Sequence, residues 1–160
     1  WGYDRLVKLD LLWRENYKHF LGAMNHKNPD ADVLQVHLDR RLADVYKNRQ
    51  PMDPFERRYP EIKPVEVNIA DYDRIIVGAP LWWSNMAAPL QTFLFQYGSL
   101  MEGKSIGLIV SSSSSGINGV ESDARRLIPG GDFLEPSLWI RSGQTSNCHS
   151  MIADWLSQIN

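Results

Sequence analysis

Three short apolar runs, each followed by a segment of helical periodicity, dominate the second half of the chain. The runs are residues 74–79, 105–110 and 137–140. Their continuous apolar character is typical of strands that are buried on both faces of a parallel sheet. The segments after them repeat apolar residues three and four positions apart, as one face of a helix does. The predicted helices are residues 89–100, 119–128 and 146–159.

Local signals mark the ends of these helices. Pro89 suits the first turn of the first helix, and Pro129-Gly130-Gly131 stops the second. Ser146 is predicted to cap the third. Strands that alternate with helices indicate a three-layer α/β sandwich with right-handed crossovers. A length of 160 residues fits a single domain, expected to span residues 1–160.

The first half of the chain is more charged and its pattern is weaker. Residues 5–12 read as a strand or the start of a helix. Four proline residues within 50–67 predict an extended surface connection. The remaining predictions here are a helix at 16–24, a strand at 33–38 and a helix at 40–48.

Unusual loops follow the first two clear strands. In an open parallel sheet, ligands bind beyond the carboxyl ends of the strands, so residues 78–86 and 111–119 are expected to be neighbours at one edge. The first loop holds the adjacent pair Trp82 and Trp83. Two adjacent rings cannot both enter one core layer, which favours one of them lining a cleft for a planar ligand. The alternative is that both pack in the core or on a subunit interface.

The second loop contains five consecutive serine residues, 111–115. Such a run is ordinarily a flexible linker, but here a buried strand precedes it and a helix follows it. Hydroxyls, backbone N–H groups and a helix N-terminus suit either a phosphate group or the polar edge of a heterocycle.

Together these motifs resemble the flavodoxin-like family. The segment 71–83 carries the pattern YD-x-I-x-x-G-x-P-x-W-W of short bacterial flavodoxins, and Pro89, Gly103-Lys104 and 111–119 follow at matching spacing. The resemblance covers residues 60–160 well and 30–59 loosely. It implies a parallel five-stranded sheet of order 2-1-3-4-5 and an FMN cofactor. The cofactor-binding residues it implies are Pro80, Leu81, Trp82, Trp83, Ser84, Asn85 and Met86 on one side and Ser111, Ser112, Ser113, Ser114, Ser115 and Gly116 on the other.

The phosphate-binding loop of that family, Ser/Thr-x-Thr-Gly-x-Thr after the first strand, has no counterpart, because no serine or threonine precedes Ser84. Three explanations stay open. The first strand and its loop lie upstream of Trp1, or FMN binds without the usual cradle, or the fold is kept without the flavin.

Composition excludes several other classes of protein. A net charge of −2 gives no case for nucleic acid binding, and no apolar run is long enough to span a membrane. The single cysteine, Cys148, excludes an intrachain disulfide and a Cys-pair zinc site. Cys148 and His149 are adjacent and would point about 100° apart on a helix, which disfavours a nucleophile–base pair.

The function expected from the sequence is an FMN-dependent redox protein of the cytoplasm. It would transfer electrons to a partner protein or reduce a small acceptor such as a quinone, with no catalytic side chain and no metal. This favours an oxidoreductase, and a homodimer stays open. The alternative is a flavodoxin-fold binding or interaction module that has lost the flavin. A third interpretation is a phosphoester or nucleotide binder without redox chemistry.

Overall fold

A computed structural model of the chain describes residues 62–159. A five-stranded sheet with helices on both faces forms this part of the protein. Short 3-10 helices lie at Ile69–Asp71, Gly98–Met101 and Ser142–Asn147. The strands are β1 (Arg74–Trp82), β2 (Asn85–Met86), β3 (Ser105–Ser112), β4 (Asp132–Phe133) and β5 (Leu138–Arg141). The α-helices are α1 (Ala88–Tyr97), α2 (Asn118–Leu127) and α3 (Cys148–Gln158).

The parallel pair β1 and β3 forms the centre of the described sheet. Their register runs from Arg74 opposite Ser105 to Pro80 opposite Ser111. One side of β3 pairs with β1. The other side of β3 pairs first with β4 and then with β5, and both of these pairings are parallel. The two-residue strand β2 folds back antiparallel on the end of β1.

Two apolar clusters lie on opposite faces of the sheet. One contains Leu108 and Val110 of β3 with residues of α1 and α2. The other contains Ile109 of the same strand with Ile152 and Trp155 of α3. Successive residues of a strand point to opposite faces, so the continuous apolar run of β3 serves both clusters. The predicted three-layer α/β sandwich is therefore confirmed, and all strands of the described sheet except β2 run parallel.

Several predicted boundaries differ from the structure, and two of them have a clear physical cause. The first strand was expected to stop before Pro80, but β1 continues to Trp82, since its last residues pair with β2. Ser146 does not cap the last helix. Residues Ser142–Asn147 form a 3-10 helix instead, and α3 begins at Cys148. Gln144 stabilises the start of that 3-10 segment, because its Oε1 accepts the main-chain N–H of Arg141 at 3.0 Å.

The elements expected at 5–12, 16–24, 33–38 and 40–48 lie outside the described residues. These include the two strands that would complete the order 2-1-3-4-5. The described end of the predicted surface connection, residues 63–68, forms neither helix nor strand.

Candidate functional site

The carboxyl ends of β1, β3 and β5 meet at one edge of the sheet. Pro80 of β1 lies opposite Ser111 of β3, and Ser112 lies opposite Arg141 of β5. The two loops singled out by the sequence therefore start side by side, as expected. Residues 82–86 are called the aromatic turn below, and residues 111–116 are called the serine loop.

The aromatic turn is a two-residue hairpin in a strained conformation. Trp82 pairs with Asn85, and the two residues between them, Trp83 and Ser84, have φ values of 53° and 67°. They are the only non-glycine residues with positive φ within 62–159. Hairpin turns of this kind favour Asn-Gly because both central residues need positive φ. A bulky side chain in this region costs about 1–3 kcal/mol, and such strain is concentrated at functional sites.

The strained turn brings an indole ring to the surface. Trp83 is 47% exposed, and Ser84 and Asn85 are also exposed. Trp82 is half-buried, as is Pro80. By contrast, Leu81, which precedes the turn, and Met86, which ends it, are buried in the core. The turn therefore has a core-anchored base and an exposed tip.

The serine loop also has a buried base and an exposed tip. Ser111 and Ser112 are buried, and residues 113–116 are exposed. The Ser112 hydroxyl accepts Nε1–H of Trp139 at 2.8 Å and donates to the carbonyl of Ser115 at 2.8 Å. Within the described chain, the N–H groups of residues 114–116 donate no main-chain hydrogen bond, so they remain available to a ligand at the surface.

The first turn of α2 holds the two loops together. A Cβ atom built on Gly119 would lie 1.8 Å from the carbonyl oxygen of Ser84, so only glycine permits this approach. The N-terminus of α2 follows directly after the serine loop, and its partial positive charge favours an anionic or electron-rich group there. The edge thus combines an exposed aromatic ring, hydroxyls, N–H donors and a helix N-terminus.

Sequence reasoning missed the residues that support the two loops. Trp139 holds the serine loop through Ser112, and Asp123 of α2 accepts hydrogen bonds from the aromatic turn. A signal for Asp123 was present, because it stands among Val120, Ala124 and Leu127 on the buried side of the helix. A charged residue at such a position requires buried partners.

The side chains of the adjacent residues Cys148 and His149 do not face a common site. Cys148 is fully buried and His149 is exposed. Among residues 62–159, no three His, Cys, Asp or Glu side chains come together in a way that could hold a metal ion. No helix in this part of the chain is long and apolar enough to cross a bilayer.

A family model for flavodoxin matches residues 29–159. The chain belongs to the flavodoxin family. A search of curated protein sequences found no match. The family assignment agrees with the position of the two loops, since flavodoxin-type sheets bind ligands at their carboxyl edge.

Solved structures of proteins from bacteria share this fold. A flavoprotein from Lactobacillus acidophilus in complex with FMN is 16% identical, with a TM-score of 0.61 over 84% of this chain and 91% of that one. A candidate flavoprotein from Bacteroides uniformis is 17% identical, with a TM-score of 0.62 over 89% and 88%. One from Bacteroides eggerthii is 21% identical, with a TM-score of 0.51 over 76% and 69%. At these identities the similarity establishes the flavodoxin-like fold.

Proposed function

We propose that this flavodoxin binds FMN between the aromatic turn and the serine loop, and that it works as an electron-transfer protein or reduces a small acceptor such as a quinone. The observation that carries the proposal is the strained turn that exposes Trp83 next to the serine loop. The FMN complex of the structurally similar Lactobacillus acidophilus flavoprotein supports the choice of cofactor.

The exposed residues fit the isoalloxazine end of FMN. The exposed ring of Trp83 offers a flat apolar surface to a planar ring, and stacking of this kind contributes about 0.5–1.5 kcal/mol beyond buried area. The N–H groups and hydroxyls of residues 113–116 suit the polar pyrimidine edge. Leu81, Met86, Ser111 and Ser112 are buried, so in this proposal they support the loops from beneath.

The phosphate end of FMN would lie outside the part of the chain that the structure describes. A cradle after the first strand of the fold would belong to residues before 62, where the sequence contains no serine or threonine. Arginine, lysine and backbone N–H groups remain as phosphate partners for that region. The described residues therefore support a ring-binding site.

Bound FMN supplies reversible electron-transfer chemistry. In this proposal the residues of the protein set the conditions for it. The indole rings exclude water from the ring face, and the donors of the serine loop with the N-terminus of α2 favour negative charge at the pyrimidine edge. No side chain acts as an acid or base.

A second candidate function follows from the missing phosphate loop. A flavodoxin fold without flavin would act as a binding module, and the absence of serine and threonine before Ser84 favours it. Against it stands the combination of the strained turn at Trp83 with the serine loop beside it, because together they suit a planar heterocycle with a polar edge.

Titration of FMN into the purified protein, followed by quenching of flavin fluorescence, separates the two functions. We expect saturable binding and an affinity about three- to tenfold weaker in Trp83→Ala, because the stacking surface is lost. Trp82→Ala is expected to weaken binding as well. Phe95→Ala is the matched control, since Phe95 is an exposed aromatic residue far along α1.

Absence of saturable binding by the wild-type protein would favour the binding module. Unchanged affinity in both tryptophan variants would remove the aromatic turn from the proposed site. A protein that binds FMN can then be tested for reduction of a quinone above the rate that free FMN gives alone.

A further inference from the structure

Behind the aromatic turn, the carboxylate of Asp123 accepts three hydrogen bonds, although only 6% of the residue is exposed. Its Oδ2 atom accepts Nδ2–H of Asn85 and the main-chain N–H of Met86, each at 3.0 Å. Its Oδ1 atom accepts Nη2–H of Arg126 at 2.8 Å. The carboxylate therefore ties both residues of β2 to helix α2.

The other side of Met86 is held from helix α1. Nε2–H of Gln91 donates to the carbonyl of Met86 at 2.7 Å, and Oε1 of Gln91 accepts Nη2–H of Arg126 at 3.2 Å. Arg126 thus bridges Gln91 and Asp123, and the four residues close a ring of hydrogen bonds. Both polar groups of the Met86 backbone, its N–H and its C=O, are fixed within this ring.

We infer that Asp123 is a positioning residue for the FMN site. Strained backbone persists only where the surrounding structure over-determines it, and Asp123 supplies that constraint to the turn formed by Trp83 and Ser84. It acts through Asn85 and Met86, which form β2, the returning strand of the hairpin. The inference rests on the proposed function and extends it from the exposed tip of the turn to its buried support.

The chemistry of the carboxylate allows a graded test. Alanine removes all three acceptor contacts and leaves the N–H of Met86 without its acceptor in a buried place. Asparagine has the same shape and one acceptor oxygen, so it can keep the two bonds to β2 while its amide N–H group faces the Arg126 guanidinium. Asp123→Asn should therefore restore much of what Asp123→Ala loses.

The experiment compares these variants by two measurements. The first is the dissociation constant for FMN. We expect it to rise about tenfold or more in Asp123→Ala and about threefold in Asp123→Asn. The second is amide hydrogen exchange at Met86 in the flavin-free protein, which should be at least about tenfold faster in Asp123→Ala because the N–H has lost its acceptor.

Glu121→Gln is the matched control. It removes a carboxylate from the same helix two positions earlier, about 200° around the helix axis from Asp123. It should leave both measurements within twofold of the wild-type values. Arg126→Gln removes the bridge between Gln91 and Asp123 without changing a residue of the turn. It is expected to weaken FMN binding less than Asp123→Ala does.

The outcomes separate this inference from the proposed function. If the wild-type protein does not bind FMN, the proposed function fails and the inference fails with it. If the wild-type protein binds FMN and Asp123→Ala stays within twofold in affinity, the inference alone is overturned. If Asp123→Ala does not fold, Asp123→Asn and Arg126→Gln decide, and wild-type affinity in both overturns the inference.

Discussion

At the scale of single residues, the aromatic turn shows a conflict between the residue types that its backbone conformation favours and the exposed aromatic side chain that it contains. The hairpin needs positive φ at two positions, yet the sequence provides Trp83 and Ser84 where asparagine and glycine would be favoured. Strain of this kind lowers the stability of the folded state and persists where something else depends on the residue. Here the exposed indole ring is what the strained residue provides.

A double substitution tests this trade-off directly. Trp83→Asn with Ser84→Gly installs the preferred turn residues, so the free energy of unfolding should rise by about 1 kcal/mol or more. The same change removes the stacking surface, so FMN affinity should fall. Thermal unfolding and FMN titration of the one variant provide both measurements. Lower stability together with unchanged FMN affinity would contradict the interpretation.

The sequence could not resolve roles within the run of serines. Five identical side chains look alike, but Ser111 and Ser112 are buried while the others are exposed. Which serine turns inward depends on Trp139, 27 positions later, whose Nε1–H binds the Ser112 hydroxyl. The strand pairing that brings these residues together is a tertiary feature, so local pattern contains no signal for it.

At the scale of secondary-structure elements, the order of the longer strands and the helices after residue 74 was predictable, whereas the two-residue strands β2 and β4 were not. Continuous apolar runs and helical periodicity are strong signals, and all three predicted strands and helices are present. The boundaries were less predictable, because the end of β1 is set by pairing with β2, and because a 3-10 helix whose start is capped by Gln144 precedes α3. Pro80 is accommodated within β1, and its carbonyl accepts the N–H of Ala87 at 3.1 Å.

The contact between α2 and the aromatic turn gives a prediction for glycine. Gly119→Ala would place a methyl group against the Ser84 carbonyl, so the helix and turn must separate. We expect a loss of stability of about 1–3 kcal/mol and weaker FMN binding. Gly143→Ala is the control, because a Cβ atom there meets no atom within 4 Å.

Chemical denaturation of both variants provides the test. Equal midpoints for Gly119→Ala and the wild-type protein would mean that the close approach of α2 does not hold the turn. A large loss in Gly143→Ala would show that any alanine at this edge is destabilising, and would remove the specific argument for Gly119.

At the scale of the whole molecule, the candidate site lies at an edge with few charges. Segments 80–88, 111–119 and 139–147 contain one charged side chain, Arg141, which lies at the end of β5 with its guanidinium 5.1 Å from the Trp139 ring centre. The helices α1, α2 and α3 all begin at this edge, and each adds partial positive charge. In the described chain, these groups therefore give the edge a local bias towards positive charge.

This bias predicts the salt dependence of electron transfer. Once its bound FMN has been reduced with dithionite, the protein should reduce ferricyanide faster at low salt than at high salt. It should show the opposite trend with hexaammineruthenium(III), because salt screens both the attraction of the anionic acceptor and the repulsion of the cationic one. Arg141→Gln should reduce the difference between the two acceptors. Stopped-flow rates at several ionic strengths measure it, and identical salt trends for the two acceptors would contradict the charge argument.

The central claim is that FMN binds at the carboxyl edge, between the aromatic turn and the serine loop. The most direct test is a two-dimensional amide NMR titration of the isotope-labelled protein with FMN. The account predicts that the largest shifts fall at residues 82–86 and 112–117 and at the indole N–H of Trp83. Shifts centred on the opposite edge, near Asp73 and Asp132, or no shifts at saturating FMN, would contradict it.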